Sequence, residues 1–281
     1  MRRWIFAMRS KPTVFDALRY RMTVDGRTED FYRLQYERMF RRHYLRKSDC
    51  LKVGELLLPL LSHAEFPTRE EAYYAMEIGD ILYPALLGSF RYVDEGPYEW
   101  GDVGIEAGDV VFDCGANLGV FSLLAAYRGA EVYAFEPISA ARAELRRTLD
   151  LNPMLKERVH IVPAALSDTV GTAEFTVLDG TLVGSSMVLQ QQGRKETARL
   201  TTVDAFCEGE GISPDFIKAD IEGAERQMMK GAASTLARDA PKIAVCTYHF
   251  KDDAAVLRGI IKAANPAYRI VEKWKKMYAR V

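Results

Sequence analysis

From residue 109 onward the chain alternates short runs of β-branched and aromatic residues with stretches of helical period, and that alternation leaves few folds open. Strands are predicted at 110–113, 131–136, 159–163, 216–220 and 242–249, with helices at 119–127, 139–151, 224–238 and 252–264. Strands separated by helices of this length pair in parallel, and the helices cover both faces of the sheet. Residues 172–178 and 199–203 read as extra strands joined by a polar loop, 180–193, rich in Gly, Ser and Gln. The segments 268–272 and 277–281 read as a terminal hairpin, so the sheet is expected to be mixed.

Before residue 93 the pattern differs. Phe31, Leu34, Met39 and Tyr44 recur near helical spacing, 51–61 reads as a further helix, and Thr68 with Glu71 resembles a capping box. Gly96-Pro97 then breaks regular structure. The division expected is a helical extension, 1–92, and an α/β domain, 93–281. Residues 1–47 hold 13 Arg or Lys against 5 acids, although the whole 281-residue chain has a net charge of −1. This arm, which also carries Trp4, Phe15, Tyr32 and Tyr36, reads as a basic, aromatic segment that caps the site or mediates dimerisation. No apolar run approaches the length of a membrane span. The apolar stretch after Met1 ends at Arg9, too soon for a signal peptide. The four cysteines, Cys50, Cys114, Cys207 and Cys246, lie far apart, which fits a reducing, cytoplasmic setting.

Three motifs carry chemistry. In Val110-Val-Phe-Asp-Cys-Gly-Ala-Asn-Leu-Gly a strand ends at Asp113 and a small-residue turn leads to a helix. Gly115, Ala116 and Gly119 are expected to let the backbone approach a ligand, which in open α/β sheets sits beyond the C-terminal strand ends. The turn has two glycines where a dinucleotide fingerprint has three, and an acid beside it is unfavourable for a pyrophosphate. S-adenosylmethionine, with an ammonium and a sulfonium and no phosphate, suits that acid. In Tyr133-Ala-Phe-Glu-Pro, Glu136 ends the next strand 23 residues after Asp113, where an acid can bond both hydroxyls of a ribose. In Phe216-Ile-Lys-Ala-Asp-Ile-Glu-Gly-Ala-Glu, Lys218, Asp220 and Glu222 gather at one strand end, and Glu225 favours a helix N-terminus.

Together these motifs resemble the FkbM-type family of S-adenosylmethionine-dependent methyltransferases over about residues 93–281. The resemblance implies a class I, Rossmann-like, seven-stranded mixed sheet. It implies that Asp113, Gly115, Asn117 and Gly119 hold the methionine part of the cofactor and Glu136 the ribose, with Ala116 and Pro137 also among the cofactor-binding residues. Leu166 would pack on the adenine, with Ser167 or Asp168 near its edge. Family members chiefly methylate hydroxyls on sugars or natural products, so a glycosyl or polyketide-like small molecule is the acceptor expected.

For such a reaction His249 is the first candidate base, read as ending its strand beside that of Asp220. Asp220 is the second, as base or orienter. Lys218 would steady negative charge on the attacking oxygen or pair with Asp220 or Glu222. Glu222 would face the acceptor, and Tyr98 and Trp100 would stack on a sugar or pack as core. No local ligand pattern demands a metal and none is assigned, although Asp220, Glu222 and His249 would offer oxygens and an imidazole to one. His43, His63 and His160 read as structural. The competing readings are a methyltransferase acting on a nucleic acid or other anionic macromolecule, a non-catalytic cofactor-binding protein and, last, a nicotinamide dehydrogenase. No run typical of base extrusion and no RNA-binding module supports the first.

Overall fold

A computed structural model describes residue 38 and residues 41–61, 69–90, 93–177, 187–188 and 193–281. Most of the basic arm, His63, Thr68 and nearly all of the polar loop fall outside these. The chain forms two compact units, Met1–Asp94 and Glu95–Val281.

In the first unit three short strands, Tyr44–Leu45, Cys50–Val53 and Leu56–Pro59, make an antiparallel sheet. The helix expected over 51–61 is therefore a hairpin. Its apolar run is too short for periodicity to separate the two states, and Gly54 at φ +59° turns the chain where a helix would continue. A helix at Arg69–Glu77 continues through a π-helical turn, Ile78–Leu82, into Tyr83–Leu87 and stops at Gly88. His43 is bonded from one ring nitrogen to the Lys52 carbonyl (2.7 Å) and from the other to the Tyr83 hydroxyl (2.8 Å), as befits a structural histidine.

The second unit is the alternating one. Its main elements are β1 (Val110–Cys114), α1 (Val120–Tyr127), β2 (Glu131–Phe135), α2 (Ser139–Asp150), β3 (Val159–Val162), β4 (Ala164–Leu166), β5 (Gly171–Val177), β6 (Arg194–Thr201), α3 (Val203–Glu210), β7 (Phe216–Ala219), α4 (Glu225–Lys230), α5 (Ala233–Arg238), β8 (Lys242–Cys246), α6 (Asp253–Ala264), β9 (Arg269–Lys273) and β10 (Lys276–Arg280). Seven strands form one sheet in the order β9-β10-β8-β7-β1-β2-β3. Strands β8, β7, β1, β2 and β3 are parallel, and the hairpin β9–β10 adds antiparallel beside β8. The mixed Rossmann-like sheet is thus the fold read from the motifs. A smaller sheet, β4-β6-β5, stands apart from it.

The core lies where Phe112 of β1, Phe135 of β2 and Phe206 of α3 meet edge to face, with centroids 4.8–5.6 Å apart. The single helix expected over 224–238 is two helices. They part at Gly231, where a Cβ would stand 2.1 Å from the Ser167 carbonyl oxygen, so the close approach of the segment after β4 breaks the rod. All four cysteines are buried free thiols. His160 pairs with Glu131 across β3 and β2. Among the described residues no helix is long and apolar enough to cross a membrane.

Candidate active site

The C-terminal ends of β1, β2 and β7 bring the three motifs together. Asp113 and Lys218 are register partners on adjacent parallel strands, so both side chains point to one face. The Lys218 ammonium lies 2.9 Å from Asp113 Oδ1 and donates to the Gly115 carbonyl at 2.6 Å, while the Ser122 hydroxyl donates to Asp113 Oδ2 at 2.6 Å. Asp113 is fully buried and Lys218 nearly so. Burial opposes the charge on Lys218, but Asp113 and Asp220 outweigh it and hold the ammonium above the ordinary lysine range. Two expectations are corrected here. Asp113 does not present its charge to a ligand, and Lys218 does not reach an attacking oxygen, because each neutralises the other beneath the turn.

The turn itself needs its glycines for packing. Gly115 has φ +80°, and a Cβ there would lie 2.0 Å from the Asp220 carbonyl oxygen. Gly119 has φ +82°, and a Cβ there would lie 2.1 Å from Leu145 Cδ1. These positions admit the neighbouring element closely. Ala116 is buried, and Asn117 is half-buried in the left-handed region at φ +49°.

Glu136 follows β2 and closes back on this turn. Its Oε2 accepts the Asn117 amide (2.9 Å) and its Oε1 the Ile138 amide (2.8 Å). Burial raises its pKa to about 7, against the opposing pull of those amides, Lys218 and Arg142. Arg142 pins the segment by donating to the carbonyls of Glu136 and Pro137 at 2.9 and 2.6 Å. Leu166, expected against an adenine, is instead 2% exposed and packed in the main core. The Ser167 side chain is buried, with its amide on the Thr201 carbonyl, and Asp168 is exposed beside it.

At the end of β7, Tyr98 donates to Asp220 Oδ2 at 2.7 Å and Tyr248 to Oδ1 at 3.2 Å. Burial opposes ionisation of Asp220, yet Lys218, His249, Lys276 and the Tyr98 hydroxyl hold its carboxyl below the usual range. Tyr98 is buried against Phe121 and under the Lys276 ammonium, so it packs as core and fixes Asp220; it is not open for stacking on a sugar. Trp100 meets Trp274 edge to face at 4.8 Å, with the Lys273 ammonium 3.9 Å above its ring.

His249 does not end a strand. Strand β8 stops at Cys246, the Thr247 amide bonds to the Lys275 carbonyl in the turn of the terminal hairpin, and the chain leaves the sheet. The His249 ring then lies among carboxylates: Glu225 Oε1 is 3.2 Å from Nδ1, and Glu222 Oε2 and Asp220 Oδ1 are 3.3 and 3.9 Å from Nε2. Burial opposes protonation of the ring, but Glu222, Glu225 and Asp220 outweigh it and push its pKa up to about 11. Asp220, held below the usual range, is a hydrogen-bond acceptor more than a proton carrier.

The family model described as the methyltransferase FkbM domain matches residues 113–269, which include the first motif from Asp113 onward and all of the other two. The chain belongs to the FkbM methyltransferase family. Methyltransferase sdnD of Sordaria araneosa is 30% identical, over 43% of this chain and 59% of its own length. The 31-O-demethyl-FK506 methyltransferase FkbM of Streptomyces tacrolimicus is 28% identical, over 56% of this chain and 74% of its own. The crystal structure of methyltransferase FkbM from Methylobacillus flagellatus shares the fold, with a TM-score of 0.51 at 20% identity, covering 75% of this chain and 54% of that one. This chain therefore spans little more than half the length of two of the proteins it matches.

In this FkbM-family chain two side chains near Asp220 escaped the sequence reading. Tyr248 precedes His249 and is partly exposed, and its position next to a chosen residue was the available signal. Glu225 was assigned only to its helix. It does accept the Ile221 and Gly223 amides at 2.7 and 3.1 Å, but it also faces His249.

Proposed function

We propose that this methyltransferase uses S-adenosylmethionine and methylates a hydroxyl of a small glycosyl or polyketide-like molecule. The observation that carries the reading is Glu136: a buried carboxylate at the end of the second strand, directed at the glycine turn and bonded there only through backbone amides. Such a group fits a ribose, whose hydroxyls donate to the ionised form. With Asp113 sealed behind Lys218, Asn117 and the turn around it are left to meet the amino-acid part.

When bound, that cofactor supplies an electrophilic methyl group carried on a sulfonium. The protein aligns the acceptor and excludes water. Asp220, fixed from both oxygens by Tyr98 and Tyr248, accepts the hydrogen bond of the acceptor hydroxyl and aims its oxygen. Glu222, partly exposed beside it, faces the acceptor. The Streptomyces relative is named for a 31-O-demethyl acceptor, which supports an oxygen as the methylated atom.

Calorimetric titration with S-adenosylhomocysteine is expected to show one site, weakened about tenfold or more by Glu136→Gln through loss of a charged acceptor. Absence of binding to the unaltered protein would overturn the cofactor assignment. Transfer of labelled methyl to a hydroxyl in an acceptor screen, and to no nucleic acid, tests the rest.

A further inference from the structure

The acid–histidine cluster at the ends of β7 and β8 is more than a means of orienting an acceptor. Among the described residues, Asp220, Glu225 and His249 each place a ligand atom within 4.8 Å of the others. The His249 side chain is 4% exposed, and both ring nitrogens are buried without a hydrogen bond. Each nitrogen faces carboxylate oxygens at 3.2–3.9 Å. Charge-assisted hydrogen bonds close to about 2.7–2.9 Å. Donors that share one cation at about 2.1 Å stand roughly 3 Å or slightly more apart, and the Nε2–Glu222 spacing of 3.3 Å meets that condition.

We infer that His249 Nε2, Asp220 Oδ1 and Glu222 Oε2 form a binding site for a divalent first-row cation. Glu225 sits on the other ring nitrogen. Its two oxygens are held by the Ile221 and Gly223 amides, so it fixes the imidazole and raises its basicity from outside the coordination sphere. Asp220 and Glu222 are 22% and 33% exposed, so the cation keeps positions open to the crevice. Two carboxylates and one imidazole suit Mn²⁺, Fe²⁺ or Zn²⁺. The cation's task, lowering the pKa of an acceptor hydroxyl, rests on the hydroxyl-methylation reading; its binding does not.

Mn²⁺ added to the whole protein without cofactor, followed by electron paramagnetic resonance, tests the site. The expected result is one bound ion per chain with ¹⁴N hyperfine coupling from an imidazole. His249→Ala is expected to abolish that coupling and weaken binding at least tenfold. Glu222→Gln, at a partly exposed position, is expected to weaken it similarly without disturbing the fold. Glu225→Gln is expected to weaken it 10–100-fold. Binding without nitrogen coupling, or of equal strength in the His249→Ala and Glu222→Gln proteins, would overturn the site. S-adenosylhomocysteine titrations of the same proteins report on the cofactor reading separately, because Glu136 lies outside the cluster.

Discussion

Asp113 and Asp220 stand at the ends of neighbouring parallel strands, yet they have opposite characters. Asp113 is fully buried against Lys218, Ser122 and the turn. Asp220 is partly exposed, held by two tyrosine hydroxyls, and lies among Glu222, Glu225 and His249. The difference comes from what the adjoining strand delivers. Strand β7 places an ammonium opposite Asp113, and that charge is consumed inside the protein. Beyond the end of β8, Asp220 meets a chain leaving the sheet, with an imidazole and a phenol. An acid at a strand end therefore faces a ligand only where no buried counter-ion reaches it first. Glu136 sharpens the contrast, being as buried as Lys218 but bonded to amides and not to an ammonium.

The largest test of this division is Lys218→Met. Removing one partner of a buried pair leaves Asp113 uncompensated and is expected to cost about 3–5 kcal/mol in urea unfolding. Asp220→Asn, at the open position, is expected to cost no more than about 1 kcal/mol. Equal losses from the two would erase the distinction between sealed and open acids.

Next in size is the pH response of Glu136. Burial raises its pKa from an ordinary carboxyl value of roughly 4.3 to about 7 in the folded protein. The stability tied to its protonated form is complete below the unfolded value and is lost as pH rises through about 7. Ligand affinity runs the other way, because ribose hydroxyls favour the ionised acceptor. S-adenosylhomocysteine should bind several-fold more tightly at pH 8 than at pH 6, and Glu136→Gln should flatten the profile. A slope that persists in that variant would assign the titration to another group.

Tyr248→Phe has the smallest expected effect. It removes one hydrogen bond from Asp220 Oδ1 at a partly exposed site, worth about 0.5–1.5 kcal/mol. Turnover is expected to fall several-fold and the melting temperature by no more than a few degrees, while S-adenosylhomocysteine affinity holds. Unchanged turnover would place the acceptor away from Asp220.

Much of the second unit was legible because its signals are local. A strand, a small-residue turn and a helix start lie within a dozen residues, and the acids at the C-terminal ends of β1, β2 and β7 are read directly from the strand ends. Leu51–Leu61 was not legible, because a short apolar run serves helix and strand alike and the choice fell to pairing with neighbouring strands. The site's division of labour was illegible for a related reason. Lys218 and Asp113 meet only through strand register, Leu166 lost its place beside a ligand to the core, and His249 was misplaced because β8 ends early.

The order of short apolar and periodic segments by itself determined that this chain builds a sheet with helices around it and gathers acids at one edge. Hydrophobic periodicity and backbone sterics act within a few residues. Only the tertiary structure decided which of those acids is neutralised and which stays available, because a charge's environment is set by the groups that folding brings within a few ångströms, wherever they lie along the chain.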